Sequence, residues 1–72
     1  MAKYFSARIS QEHSDQVRNL ALGLNVPPKR IVFNGEGCPL GSIGVYIKFD
    51  SQNSLDEFSQ KVQGMDCILE RW

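Results

Sequence analysis

This sequence has little of what catalytic and metal sites are usually built from. It contains one histidine and two cysteines, Cys38 and Cys67, whereas disulfide frameworks and zinc knuckles need closely spaced cysteine pairs. Neither of the glycine-rich patterns that cradle phosphates, G-x-x-x-x-G-K-[ST] or a strand-linked G-x-G-x-x-G, occurs in the chain. We therefore expect reduced thiols, no metal ion, no cofactor and no enzymatic activity.

Long apolar runs and an excess of charge of one sign are missing as well. The longest apolar stretch lies around residues 20–24, far short of the ~18 residues that span a membrane, and the first residues lack the apolar run of a secretory signal. These absences predict a cytoplasmic protein with no membrane partner. Eight basic and eight acidic residues give a formal net charge of zero, which argues against the strong long-range attraction of a typical nucleic-acid binder.

What the sequence does contain is a regular succession of periodic segments. Its 72 residues, 42% of them hydrophobic, are enough for one small globular domain, which we assign to residues 1–72. Alternating or β-branched runs predict four strands, over residues 3–9, 30–34, 43–49 and 67–72. Helical spacing predicts two helices. The first would begin at Ser10 as N-cap and end before Pro27 and Pro28. The second would begin with Ser54 and Glu57 as a capping box and end with Gly64 as C-cap.

The resulting order βαββαβ closes most simply into one α+β sandwich. Right-handed β-α-β connections predict a four-stranded antiparallel sheet with both helices on one face, which is the ferredoxin-like arrangement. The helical stripes Val17, Leu20, Ala21 and Leu24, and Leu55, Phe58, Val62 and Met65, would then cover this face. The opposite face of the sheet would have no helix over it.

Strand alternation predicts which side chains lie on that uncovered face. If Phe5, Val45 and Ile47 point toward the helices, their neighbours along each strand point away. The phase of the last strand is ambiguous, and we favour Trp72 on the uncovered side. Most acids fall on helices and loops, whereas the predicted partner-binding residues of this face are aromatic or basic. They are Tyr4, Arg8, Arg30, Tyr46, Lys48 and Trp72.

One strand of this face resembles part of an RNA recognition motif. Tyr46, Ile47, Lys48 and Phe49 match the end of that family's third-strand signature, in which aromatic, aliphatic, any and aromatic residues follow one another. The resemblance implies that Tyr46 stacks on a nucleotide base. It covers these four residues, and Gly44 and Val45 stand where the family has an aromatic and a small residue.

Three functions follow from these features, and the sequence leaves all three open. The first is a small non-enzymatic binding module that regulates or inhibits a larger protein by docking its open sheet face, a sheet edge or the 34–42 loop, where Glu36 and Cys38 lie. Tyr, Trp and Arg are typical of such interfaces, and self-association into a homodimer fits the same reading. The second is a single-stranded RNA or DNA binder with Tyr4 and Tyr46 as stacking platforms beside basic residues.

The third and weakest function is a thiol-dependent enzyme. The predicted topology places the loop with Cys38, the start of the first helix with His13, and the entry to the last strand with Asp66 and Cys67 at one end of the sheet. A Cys/His nucleophile pair needs its base within hydrogen-bond reach. The simpler interpretation is that His13 borders the core, Cys67 is a small buried residue and Cys38 is a loop thiol.

Overall fold

The computed structural model of the chain describes residues 3–72, so Met1 and Ala2 of the predicted domain lie outside the described residues. Two helices and four strands account for most of this stretch, and short 3₁₀ turns precede α1 and β2. In chain order the elements are β1 (Lys3–Ser10), a 3₁₀ turn (Gln11–His13), α1 (Ser14–Gly23), a 3₁₀ turn (Pro28–Arg30), β2 (Ile31–Asn34), β3 (Ser42–Phe49), α2 (Gln52–Gly64) and β4 (Ile68–Arg71).

The four strands form one antiparallel sheet in the order β2-β3-β1-β4. The long strands β1 and β3 are central and pair over their whole length, from Lys3 opposite Phe49 to Ser10 opposite Ser42. The edge strands β2 and β4 have only four residues each, and short edges offer little backbone for unwanted strand pairing. The predicted α+β class, with a four-stranded antiparallel sheet and two helices, is confirmed.

The hydrophobic core lies between the sheet and both helices. Alternate residues of the central strands are buried there, and α1 and α2 each contribute two fully buried side chains to the same cluster. The ring of Phe58 in α2 packs against Phe5 and Phe49 at centroid distances of 4.9 and 5.2 Å. The cluster therefore consists of Phe5, Ala7, Ile9, Val17, Ala21, Val26, Val45, Ile47, Phe49, Phe58, Val62 and Cys67.

The first helix differs from its predicted bounds at both ends. Ser10 belongs to β1 and its side chain caps nothing, because a 3₁₀ turn intervenes before the helix begins at Ser14. The helix ends at Gly23, well before Pro27, because Asn25 adopts a left-handed φ of 67°. The amides of Asn25 and buried Val26 then bond back to Leu22 and Ala21, which is the Schellman pattern of helix termination.

The second helix begins earlier than the predicted capping box. Its N-cap is Ser51, whose Oγ accepts the backbone N–H of Ser54 at 3.2 Å. Ser54 and Glu57 therefore lie inside the helix, and their predicted capping role is wrong. The helix also includes Gly64, and the left-handed residue that follows it is Asp66, with a φ of 55°.

All four strands differ from their predicted bounds by one residue at one end or both. β1 extends to Ser10, β3 begins at Ser42, and β4 ends before Trp72. Arg30 lies in the 3₁₀ turn before β2, and Cys67 precedes β4 rather than opening it. The β4 register shifts, so that Ile68 pairs with Ile9 and Glu70 pairs with Arg8. One residue of β4 is left over between these pairs, and this β-bulge resolves the ambiguous phase of the last strand.

Candidate functional site

The open face is the surface of the sheet turned away from α1 and α2. Its central rows follow directly from the strand register: Tyr4 lies opposite Lys48, Ser6 opposite Tyr46, and Arg8 opposite Gly44. β2 adds Val32 beside Tyr46, and β4 adds Glu70 beside Arg8. Large apolar side chains on this face remain half exposed: Tyr4 at 57%, Val32 at 50%, Tyr46 at 41% and Trp72 at 51%.

A glycine in β3 allows Trp72 to cross the open face. The backbone N–H of Trp72 bonds to the Ser6 carbonyl at 3.0 Å, and the indole ring extends over β3. A Cβ atom on Gly44 would lie 3.1 Å from the nearest indole carbon, so any other residue would crowd the ring. The indole lies beside Tyr46, with ring centroids 5.6 Å apart and planes inclined by 32°. The predicted outward position of Trp72 therefore has a specific packing partner.

Two arginines of the predicted site are paired with acids. Arg8 Nε lies 3.4 Å from Glu70 Oε1 across the β1–β4 pair, and the guanidinium of Arg30 contacts the carboxylate of Asp50. Both acids are well exposed, so each pair is screened by solvent and contributes little to stability. Each pair nevertheless places a negative charge beside a positive one, and the open face is less basic than its arginines and lysines alone suggest.

One end of the open face forms a shallow depression of about 240 Å³. Lys29 and Lys48 are exposed there and make no ion pair with any acid among residues 3–72. Aromatic, aliphatic and basic side chains line it together: Tyr4, Lys29, Arg30, Val32, Tyr46 and Lys48. Four of the six predicted partner-binding residues thus meet in this depression, while Arg8 and Trp72 lie further along the sheet.

Three residues that shape this surface, Lys29, Gly44 and Asp50, were not among the predicted site residues. Lys29 lies in the 3₁₀ turn that leads into β2, and turns give no alternation from which to assign a face. Asp50 pairs with Arg30 where the start of β2 meets the end of β3, and only the register reveals that these ends are neighbours. Gly44 did carry a signal, because an isolated glycine within a strand often marks a close approach by another group.

The loop between β2 and β3 is stabilised by local hydrogen bonds. The Asn34 side chain accepts the Glu36 N–H at 2.9 Å, and the Cys38 N–H bonds to the Gly35 carbonyl at 3.1 Å. Glu36 is exposed and Cys38 is half-buried. Leu40 is fully exposed, so the loop presents an apolar side chain that the predicted site did not include.

The segments that carry the histidine and the thiols meet through backbone hydrogen bonds. The N–H groups of Ser10 and Gln11 donate to the carbonyls of Cys67 and Gly41. The two thiols nevertheless have separate surroundings. Sγ of Cys38 lies 3.9 Å from the Asn34 carbonyl, and Sγ of buried Cys67 lies 3.9 Å from the Val62 carbonyl. Burial raises the pKa of the Cys67 thiol, which disfavours the reactive thiolate. His13 Nδ1 is buried and has no hydrogen-bond partner within residues 3–72. Over the same residues, no three His, Cys, Asp or Glu side chains are grouped to hold a metal ion.

Comparisons with protein-family models, with curated proteins and with solved structures gave no match to this chain. Across residues 3–72, neither helix has the length and apolar character needed to cross a membrane.

Proposed function

We propose that this chain is a ferredoxin-like binding module that regulates or inhibits a larger protein by docking its open face. The strand order β2-β3-β1-β4 supports the ferredoxin-like arrangement, as does the single core shared by both helices. Docking would regulate the larger protein without any reaction catalysed by the module itself. The larger protein loses access to whatever surface the open face covers.

The observation that carries the proposal is the half-exposed aromatic surface of Tyr4, Tyr46 and Trp72. Tyr and Trp contribute large contact areas and are enriched among the residues that dominate binding energy. Tyr46 and Trp72 already pack against each other, so a partner would meet a surface that is largely preorganised. Preorganisation lowers the conformational entropy lost on binding.

A second candidate, single-stranded RNA or DNA binding, is favoured by the two tyrosines next to Lys29 and Lys48. Rings and free cations in one patch suit stacked bases and phosphates. The paired acids Glu70 and Asp50 count against this candidate, because both carboxylates are exposed where a phosphate backbone would run. We therefore keep nucleic-acid binding as the alternative.

The direct test is affinity capture with the wild-type protein and with a Tyr4→Ala/Arg8→Ala/Tyr46→Ala/Lys48→Ala variant. Captured proteins are identified by mass spectrometry and then purified, and binding is measured with the purified components. We expect the variant to weaken this binding by at least about a hundredfold, since truncating several central interface residues typically costs several kcal/mol. A nuclease-treated sample shows whether capture depends on nucleic acid.

A matched control variant carries Arg18→Ala and Lys61→Ala, which lie on the exposed sides of α1 and α2. We expect it to bind like the wild type, and circular dichroism establishes that all three proteins are folded. A purified partner that binds the open-face variant at full strength would contradict docking through this face.

A further inference from the structure

We propose that the depression at the Lys29 end of the open face binds an acidic segment of the partner protein, with an apolar side chain seated between Tyr4, Val32 and Tyr46. This inference rests on the proposed docking function and specifies the chemistry of the segment that docks. The depression is lined by only six residues, which suits one anchoring side chain with its immediate neighbours.

Charge complementarity determines the acidic character of the segment. Three cations line the depression, and of these only Arg30 is paired with an acid among residues 3–72. Lys29 and Lys48 are exposed and have no acidic partner among the described residues. Carboxylates on the partner would form ion pairs with these two lysines. Such complementary charges speed association and disfavour basic competitors.

The apolar part of the lining determines the anchor. Val32 lies opposite Tyr46 in the β2–β3 pair, and Tyr4 lies opposite Lys48 in the β1–β3 pair. Three large side chains, each at least 41% exposed, thus adjoin one another across three strands. A leucine-sized side chain that covers them removes apolar surface from water on both partners.

The same charges favour a short peptide over a nucleic acid. A phosphate chain that extends along the sheet beyond the depression would pass the exposed carboxylate of Glu70, and like charges repel. A peptide with carboxylates on either side of one apolar residue contacts only the depression. The two unpaired lysines match two such carboxylates.

The experiment is a heteronuclear NMR titration of the ¹⁵N-labelled protein with the capped peptide Glu-Asp-Leu-Asp-Glu. The comparison probes are the peptide Lys-Lys-Leu-Lys-Lys and a short oligouridylate. We expect the acidic peptide alone to shift the backbone amides of the six lining residues and their neighbours. Its affinity should fall as salt screens the charges.

Two variants sharpen the result. Lys29→Glu/Lys48→Glu places acids beside the acidic peptide and should weaken its binding by at least about tenfold. Arg18→Glu is a matched charge reversal on α1 and should change the affinity by less than about twofold. Amide spectra of both variants establish that they are folded.

Several outcomes would overturn the proposal: no shifts with the acidic peptide, shifts that map to the helices or the 34–42 loop, or tighter binding of oligouridylate in the depression. If the peptide fails while capture of a purified partner still requires the open face, the acidic specificity is wrong and the docking function stands. If both fail, the docking function is wrong as well.

Discussion

At the residue scale, Gly44 determines how the open face is shaped. It is buried within β3 although it has no side chain, because the indole of Trp72 covers it. Glycine in a strand interior costs about 0.5–1 kcal/mol relative to alanine. Here that cost allows the ring of Trp72, which follows β4, to lie over Gly44 beside Tyr46.

Substitution Gly44→Ala should therefore displace the Trp72 ring toward solvent. The added Cβ would lie 3.1 Å from an indole carbon and 3.1 Å from the Asn34 carbonyl oxygen. Because Trp72 is the only tryptophan, its fluorescence emission should shift to longer wavelength. We expect the free energy of unfolding to change by no more than about 1 kcal/mol, since the gain in strand propensity offsets the lost ring packing.

Gly35→Ala is the matched control for this measurement, because a Cβ there meets nothing within 4 Å. Its emission should equal that of the wild type. An unchanged emission maximum in Gly44→Ala would mean that Trp72 does not depend on Gly44 for its position.

The two thiols should differ sharply in reactivity. Cys67 is buried in the core, and burial raises its pKa above the ordinary value of 9.0, whereas Cys38 lies half-buried in the β2–β3 loop. We expect a thiol reagent at pH 8 to label Cys38 in the folded protein and Cys67 only after denaturation. Labelling of Cys38→Ser should then require unfolding. Rapid modification of Cys67 in that folded variant would contradict its place in the core.

At the element scale, both helices end in the same way. In α1 and α2 a glycine is the last helical residue, and an acidic or amide residue in the left-handed region follows two positions later, at Asn25 and Asp66. Buried Val26 and Cys67 come next. Asn and Asp tolerate this conformation better than other non-glycine residues. These stops turn the chain toward β2 and β4 and so fix where the edge strands begin.

The N-terminus of α2 offers a test that separates the observed cap from the predicted one. Ser51→Ala removes the side-chain acceptor of the Ser54 N–H and should lower the free energy of unfolding by about 1 kcal/mol. Glu57→Ala removes only an exposed pair with Lys61 at 3.6 Å and should cost less than about 0.5 kcal/mol. Urea denaturation measures both. A larger loss for Glu57→Ala would support the predicted capping box instead.

At the scale of the whole molecule, the periodic patterns were sufficient to predict the α+β class. Alternation in β1 and β3 predicted the core side chains Phe5, Ala7, Ile9, Val45, Ile47 and Phe49, because both strands are central. It did not predict that Gly44 is buried on the opposite face. The edge elements were harder to predict. The bulge in β4 breaks alternation, and the S-x-x-E spacing of Ser54 and Glu57 predicted a cap for α2 that the structure places at Ser51 instead. Local signals compete at such places, and tertiary packing selects between them.

The candidate site could be predicted only in part, for a related reason. Alternation predicts the side of the sheet to which Tyr4 and Tyr46 point. It does not predict that Asp50 pairs with Arg30 or that Lys29 and Lys48 line the same depression, because these residues meet through the fold. The charge pattern that favours an acidic partner segment is therefore a property of the folded molecule.

The central claim is that the open face contacts the partner, and site-specific photo-cross-linking tests it most directly. A photoreactive benzoyl-phenylalanine replaces Tyr4 on the open face, or Gln60 on the exposed side of α2, and each protein is irradiated in the presence of the purified partner. We predict a cross-linked product from position 4 and none from position 60. A product from position 60 alone would show that the helical side of the molecule contacts the partner and would contradict this account.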